Sequence, residues 1–274
     1  IVLLTARIDA VTHWLQALEA WLPEDSNLLR LPEPTPLPYD RGPWSDRSRQ
    51  GRLRVLTELI RGQHPLVPPA DKPPLIVTSA RAFLQKTMPK RRFVAGTRVL
   101  KGGQRIDLEK TLLSWQDLGY DAVSVVEAPG QFSRRGGIVD IYPVSDALPV
   151  RIELFGDEID TLRFFDPASQ RSLPANDVAG VPIHVVITPA REALPLAARA
   201  LAEVWQDEPL PPEGSLPSWR DDLPGLASGR AFPNLEYYLP QMYARPTTLL
   251  DYLPQDGLLI IDDWQELKKV VAEL

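Results

Sequence analysis

Two aspartates near the end of the sequence have the type and spacing for metal-dependent phosphate chemistry. Asp262 and Asp263 follow the apolar run 258–261, and nucleotide-hydrolysing proteins hold Mg²⁺ with an acidic residue in such a place. The sequence contains no G-x-x-x-x-G-K-[ST] loop to hold the phosphates. Asp263 also stands one helical turn before Glu266, which is the spacing of a capping box. We therefore interpret Asp263 as the N-cap of a last helix over residues 264–274.

The other side chains that could do chemistry show no catalytic arrangement. The histidines are far apart in the sequence and have no partner at helical spacing: His13, His64 and His184. A carboxylate cluster lies at a predicted turn between two strands, where solvated acids are common: Asp157, Glu158 and Asp160. The absence of cysteine excludes disulfides, thiolate–zinc sites and cysteine nucleophiles. We therefore predict no catalytic residues and no metal site.

Arginine recurs at alternate positions of a predicted helix at residues 45–60, for which Ser45 is the predicted cap: Arg47, Arg49, Arg52 and Arg54. Such side chains could contact phosphates. Alternate positions spread around a helix, however, and a formal net charge of −6 gives no support to non-specific nucleic-acid binding. We interpret the arginines as a solvated face, and contact of this helix with DNA stays an open alternative.

The stretch 131–173 is predicted to form consecutive short strands with one unusual face. Side chains alternate between the faces of a strand, so the inward positions are Ile152, Leu154, Leu162 and Phe164. The outward positions combine arginine, glutamate and phenylalanine. Together with the arginine before the first strand they are Arg135, Arg151, Glu153, Phe155 and Arg163. Arginine and aromatic residues are enriched among binding hot spots, and an outward phenylalanine needs a cover. We predict a recognition surface.

The elements around this surface follow two patterns. Apolar runs alternate with helical patterns before residue 92 and again after residue 181, which indicates a parallel α/β sheet. Between them the sequence predicts an α+β unit with a strand from residue 91, a helix over 108–118, a strand over 121–127 and the short strands, the first opening at Gly136 and Gly137. We therefore predict three segments: 1–92 and 181–274 form the parallel-sheet domain, and 93–180 form an inserted, mostly antiparallel domain.

Composition and length add further expectations. The 29 prolines are spread through loops, and residues 207–230 are predicted to form a long surface loop. No apolar run approaches the roughly 20 residues needed to span a bilayer, so we expect no membrane contact. The absence of cysteine favours a cytoplasmic location. Because the first residues, IVLLT, read as a strand without an initiator methionine, we expect a piece of a longer polypeptide.

Three segments of the inserted unit resemble a known family: RRGGIVDIYP, LPVRIELFGDEIDTLRFFDP and QRSL. They are similar to the module shared by the excision-repair protein UvrB and the bacterial transcription-repair coupling factors. RGG, where UvrB usually has RGD, is typical of the coupling factors. The segment LPYDRGPW stands where UvrB has an aromatic DNA-clamping hairpin, and no such hairpin sequence is present. NLEYYLPQMYARPTTLLDYLPQDGLLIIDD also resembles the coupling factors, specifically their N-terminal region.

The resemblance implies a degenerate RecA-like parallel-sheet domain and an insert that binds UvrA, the damage-recognition ATPase. The family's UvrA-contacting residues match Arg135, Arg151 and Phe155, three of the residues assigned to the outward face. The family implies that this surface is masked by a C-terminal domain until activation. RNA polymerase, DNA, ATP and Mg²⁺ would be bound by regions absent from this sequence, so we expect no cofactor and no catalysis here.

Two other functions stay open at this stage. One is a fragment of a UvrB-type ATP-dependent DNA repair helicase, which would bind nucleotide and would need a DNA-clamping hairpin. The other is a purely architectural α/β protein with an insert, which would have no repair partner.

Overall fold

The computed structural model describes residues 1–36, 40–174, 184–207 and 219–274. It is a mixed α/β structure with a parallel sheet and antiparallel sheets, which confirms the predicted fold class. The first three residues of the predicted strand 181–187, residues 208–218 of the predicted loop and residues 37–39 of LPYDRGPW lie outside the described residues.

The described elements are as follows. The strands are β1 (Val2–Thr5), β2 (Leu28–Leu31), β3 (Leu75–Ser79), β4 (Arg98–Lys101), β5 (Asp121–Ala122), β6 (Gln131–Arg135), β7 (Ile138–Ile141), β8 (Val150–Phe155), β9 (Glu158–Phe164), β10 (His184–Ile187) and β11 (Leu259–Ile261). The α-helices are α1 (Ile8–Trp21), α2 (Asp46–Ile60), α3 (Ala80–Leu84), α4 (Lys90–Gly96), α5 (Leu108–Asp117), α6 (Pro195–Trp205), α7 (Leu223–Ser228), α8 (Leu239–Met242) and α9 (Trp264–Glu273). Short 3-10 helices cover Trp219–Asp222, Leu235–Tyr238 and Leu249–Tyr252.

The parallel sheet has the strand order β11-β1-β3-β2. Alternation along β1 divides its apolar side chains between two cores. Val2 and Leu4 enter the large core that α2 also joins, whereas Leu3 packs with Val11 of α1. Ser45 caps α2 as predicted, because its side chain accepts a hydrogen bond from the Ser48 backbone N–H at 3.2 Å.

The antiparallel sheet has the strand order β5-β6-β7-β8-β9, in which the short edge strand β5 pairs parallel with β6. Its inner face packs on Trp115 of α5, whose indole meets the Phe132 ring edge-to-face at a centroid distance of 5.5 Å. The glycine pair opens a strand as predicted, since β7 begins directly after it, but the strand before the pair, β6, was not predicted. Gly136 and Gly137 form the turn between β6 and β7, and Gly136 has φ +63°, a conformation that favours glycine.

A β-bulge sets the faces of β9. Glu153 pairs with Thr161, but the next residue of β8, Leu154, pairs with Ile159. One extra residue, Asp160, is therefore inserted into β9, and Ile159 and Leu162 are both buried although simple alternation would place them on opposite faces.

Four local predictions need correction. The predicted strand from residue 91 is replaced by the helix α4, because Phe93 enters the large core. The strand begins only at Arg98, in β4. The predicted strand 121–127 is reduced to β5. The described part of the predicted loop 207–230 is helical from residue 219 to 228, because Leu226 is fully buried. The apolar strand β10 was expected to belong to the parallel sheet. It pairs antiparallel with β4 instead and packs in the core of the antiparallel unit.

The interpretation of the α2 arginines as a solvated face was also wrong in part. Arg47 and Arg54 are exposed, but Arg52 is 2% exposed and its Nε lies 2.6 Å from Glu192 Oε1. Glu192 accepts a further hydrogen bond from Thr87. The reason is tertiary: α2 is enclosed by the large core and by the segment that follows β10, so one arginine meets a buried carboxylate.

Candidate partner-binding surface

The strand register places the five predicted site residues on the outer face of the antiparallel sheet. Two rows of side chains cross β6 to β9 on this face. The first row is Ser133, Asp140, Arg151 and Arg163. The second row is Arg135, Ile138, Glu153 and Thr161. Phe155 stands beyond the second row at the end of β8, where it pairs with Glu158.

Most of the first row is covered. Arg151 Nε and Nη2 donate to the two carboxylate oxygens of Asp140 at 2.8 and 2.9 Å, which is a bidentate pair. The guanidinium also lies over the Phe165 ring at 4.8 Å. The side chain of Arg151 is 17% exposed and that of Asp140 is 4% exposed. These hydrogen bonds raise the pKa of the Arg151 guanidinium, which stays charged.

Two loop segments provide this cover. Gln170, which has φ +62°, accepts a hydrogen bond from Arg151 Nη1 at its backbone carbonyl, at 3.2 Å. Its side-chain Nε2 donates to the Val126 carbonyl at 2.9 Å. Ser133 Oγ donates to the Ser124 carbonyl at 3.1 Å. The loops around residues 124–126 and 165–170 are therefore joined over one half of the outer face.

The other half of the outer face is open. Phe155 is 85% exposed and Ile138 is 40% exposed. Arg135 and Arg163 are exposed, and Glu153 is half-buried. Arg135 donates to the Ser124 carbonyl at 3.0 Å, whereas Glu153 and Arg163 make no side-chain hydrogen bond or ion pair within the described chain. This half, which we call the Phe155 surface, combines Arg135, Ile138, Glu153, Phe155 and Arg163.

Sequence reasoning placed Phe155 and Arg163 on the exposed side but missed the support beneath them. Asp140 is the residue that holds Arg151, and its position opposite Arg151 follows from the pairing of β7 with β8. Alternation from Ile141 would have placed Asp140 outward, so a signal existed. The contributions of Phe165 and Gln170 depend on a loop that folds back, and no local pattern indicates it.

The interpretation of Asp263 as a cap is confirmed. Its Oδ1 accepts hydrogen bonds from the backbone N–H groups of Gln265 and Glu266, both at 2.9 Å.

Asp157 and Glu158 lie at the turn between β8 and β9, within 4.0 Å of Arg105. Within the described ranges, no group of three or more histidine, aspartate or glutamate residues could hold a metal ion. None of the described helices is long and apolar enough to cross a membrane.

The antiparallel unit matches a known domain family. Residues 99–192 match the family described as the UvrB interaction domain. This range contains the complete antiparallel sheet, the Phe155 surface and α5. The antiparallel unit is therefore similar to an interaction module of DNA repair proteins.

Over most of its length, the chain is similar to transcription-repair-coupling factors. The chain is 29% identical over 262 residues to the transcription-repair-coupling factor of Bacillus subtilis, and the match covers 92% of this chain and 21% of that protein. The same-named protein of Myxococcus xanthus is 29% identical, with 88% of this chain and 20% of that protein covered. That of Haemophilus influenzae is 26% identical, with 82% and 18% covered. These matches confirm the resemblance to transcription-repair coupling factors, and the chain spans about one fifth of their length.

Proposed function

We propose that this chain binds UvrA through the Phe155 surface and thereby serves to recruit repair proteins to stalled transcription. The similarity to coupling factors over 92% of the chain and the match of residues 99–192 to the UvrB interaction domain support this role. In this proposal the chain itself is not catalytic. RNA polymerase, DNA, ATP and Mg²⁺ are bound by other regions of the longer protein, and a C-terminal domain covers the surface before activation.

The observation that carries the proposal is the exposure of Phe155. An aromatic ring that is 85% exposed leaves its apolar area in water, which is unfavourable by about 25 cal/mol per Å². Ile138, on the same face, adds apolar area to it. A partner with an apolar pocket would remove both from water, as aromatic anchors do at binding hot spots.

The charges around Phe155 define the partner further. Arg135 and Arg163 are exposed on the same outer face, on β6 and β9, with β7 and β8 between them. We infer that they pair with acidic groups of UvrA. Glu153, between them, requires a donor on the partner, because a buried carboxylate without one is costly. Arg151 contributes by positioning the surface from below, since Asp140 and Phe165 already engage its guanidinium.

Calorimetry with purified UvrA tests the proposal. We expect Phe155→Ala to weaken binding by about 1–3 kcal/mol, as truncation of an aromatic hot spot does. Trp21→Ala is the matched control, because Trp21 is an aromatic side chain of similar exposure, 87%, on α1. Its replacement is expected to leave the affinity unchanged. Equal affinities of Phe155→Ala and the parent protein would contradict the assignment of the surface.

A second measurement separates this function from that of an ATP-dependent helicase fragment. Addition of ATP with Mg²⁺ is expected to leave the melting temperature unchanged, because a ligand raises it only by binding the folded state. A rise in melting temperature with ATP would support the helicase alternative instead.

A further inference from the structure

A groove lies on the opposite side of the antiparallel unit from the Phe155 surface. Its volume is about 670 Å³, and it is bounded by residues 64–66, by the segment from Val94 to Leu100 and by α5. Leu100 and Trp115 in this boundary also pack in the core on the inner face of the sheet. The groove and the Phe155 surface are therefore two separate surfaces.

The floor of the groove is apolar and includes a buried indole side chain. Leu66, Ile106 and Trp115 are among the apolar residues that line the groove, and Leu66 is 59% exposed. The Trp115 side chain is 1% exposed, and its Nε1–H has no hydrogen-bond partner. Because Nε1 is itself buried, the Trp115 indole serves as a reporter of the groove floor and not as an exposed binding group.

The rim of the groove is positively charged. Arg98 lines it and donates only to the backbone carbonyls of Ala95 and Thr97. Lys110 lines it on the α5 side and is 82% exposed. Arg91 is exposed on α4 one turn before Ala95, which also lines the groove, so that its side chain lies on the same side of the helix.

Negative charge in the lining is already engaged. Asp107 is the acidic residue among the lining residues. It caps α5 by accepting from the Lys110 backbone N–H at 3.1 Å, and its carboxylate pairs with Lys110 Nζ at 2.8 Å. These contacts lower the pKa of Asp107, so it is ionised at neutral pH and its charge is balanced by that of Lys110. The rim therefore keeps a positive balance in a chain whose formal net charge is −6.

We propose that this groove binds an acidic peptide segment of a partner protein, with apolar side chains in the groove and carboxylates on the rim. A volume of 670 Å³ falls within the range of ligand clefts, about 300–1,000 Å³. The apolar floor accepts side chains such as leucine, which a phosphate backbone does not supply. Carboxylates complement the positive rim formed by Arg91, Arg98 and Lys110.

Three synthetic peptides of equal length test the proposal: alternating glutamate and leucine, alternating glutamine and leucine, and alternating lysine and leucine. Binding is measured by titration, and the Trp115 indole N–H signal is followed by NMR after its assignment with Trp115→Phe. We expect the glutamate peptide to bind and to shift this signal, with the glutamine peptide at least about tenfold weaker. Equal binding of the glutamate and lysine peptides would overturn the proposal.

Charge-reversal variants locate the site. The double variant Arg98→Glu, Lys110→Glu is expected to weaken binding of the glutamate peptide at least about tenfold. Lys269→Glu is the matched control, because Lys269 is also an exposed lysine that pairs with an acidic residue one turn before it on a helix. Equal loss in both variants would contradict the site, and so would displacement of the peptide by a duplex oligonucleotide that binds more tightly. Phe155→Ala is expected to leave peptide binding unchanged, which separates this result from that of the UvrA experiment.

Discussion

At the scale of residues, the outer face contains two kinds of arginine. Arg163 is exposed and makes no ion pair in the described chain, so it can meet a partner. Arg151 sits one strand away and forms a bidentate pair with a carboxylate that is 4% exposed. The two residues are neighbours in the same row, but one belongs to the surface and the other to its support.

This difference predicts that replacement of Arg151 mainly lowers the stability of the fold, whereas replacement of Arg163 mainly weakens the binding of UvrA. Arg151→Ala leaves Asp140 buried without its partner, so we expect a loss of about 2–4 kcal/mol in the free energy of unfolding, measured with urea. Arg163→Ala is expected to change that free energy by less than about 0.5 kcal/mol while weakening the binding of UvrA. Equal stability of both variants would contradict the supporting role of Arg151.

At the scale of elements, the loop between β7 and β8 joins the two units. Val144 of this loop enters the large core that contains α2. Asp146, close by, lies near Arg54 and Glu58 of α2 and near Arg61, which directly follows this helix. Burial raises the pKa of Asp146 from 3.8 to about 6, and Arg61 opposes the shift only in part.

The raised pKa predicts how this junction depends on pH. An acid whose pKa is higher in the folded state is protonated there first, so the contribution of Asp146 to stability is greatest below about pH 4 and is lost as the pH rises to about 6. Asp146→Asn removes the buried charge and is expected to increase the free energy of unfolding at pH 7 by about 1–3 kcal/mol. At about pH 4 the two proteins should be nearly equally stable. Urea unfolding at both pH values measures the effect, and an equal difference at the two would contradict it.

At the scale of the whole molecule, a buried ion pair links distant parts of the chain. Arg52 on α2 meets Glu192, which follows β10, and Thr87, after α3, donates to the same carboxylate. The Arg52 guanidinium also lies over the Trp44 ring at 5.2 Å. Segments on both sides of the antiparallel unit in sequence are thus held together at one point.

Removal of this link is expected to destabilise the fold strongly. Arg52→Ala leaves Glu192 buried and unpaired, and we expect a loss of about 3–5 kcal/mol in the free energy of unfolding. Arg47→Ala, at an exposed position of the same helix, is the control and should change it by less than about 0.5 kcal/mol. Thermal or urea unfolding measures both, and similar values would show that the pair is not a structural link.

The sequence by itself determined the features that depend on local geometry. Period-two alternation placed Phe155 outward, and the spacing of Asp263 from Glu266 identified a cap, because side-chain direction in a strand and capping in a helix involve residues close in sequence. The alternation of strands and helices likewise predicted the parallel sheet.

Only the tertiary structure decided which charged residues are free and which are engaged. The pairs Arg151–Asp140 and Arg52–Glu192 join residues 11 and 140 positions apart, and the groove is formed by segments that meet only after folding. Burial of a charge depends on what packs against it from elsewhere in the chain. A pattern of neighbouring residues gives the direction of a side chain, but it carries no information about the distant carboxylate, ring or loop that meets it there.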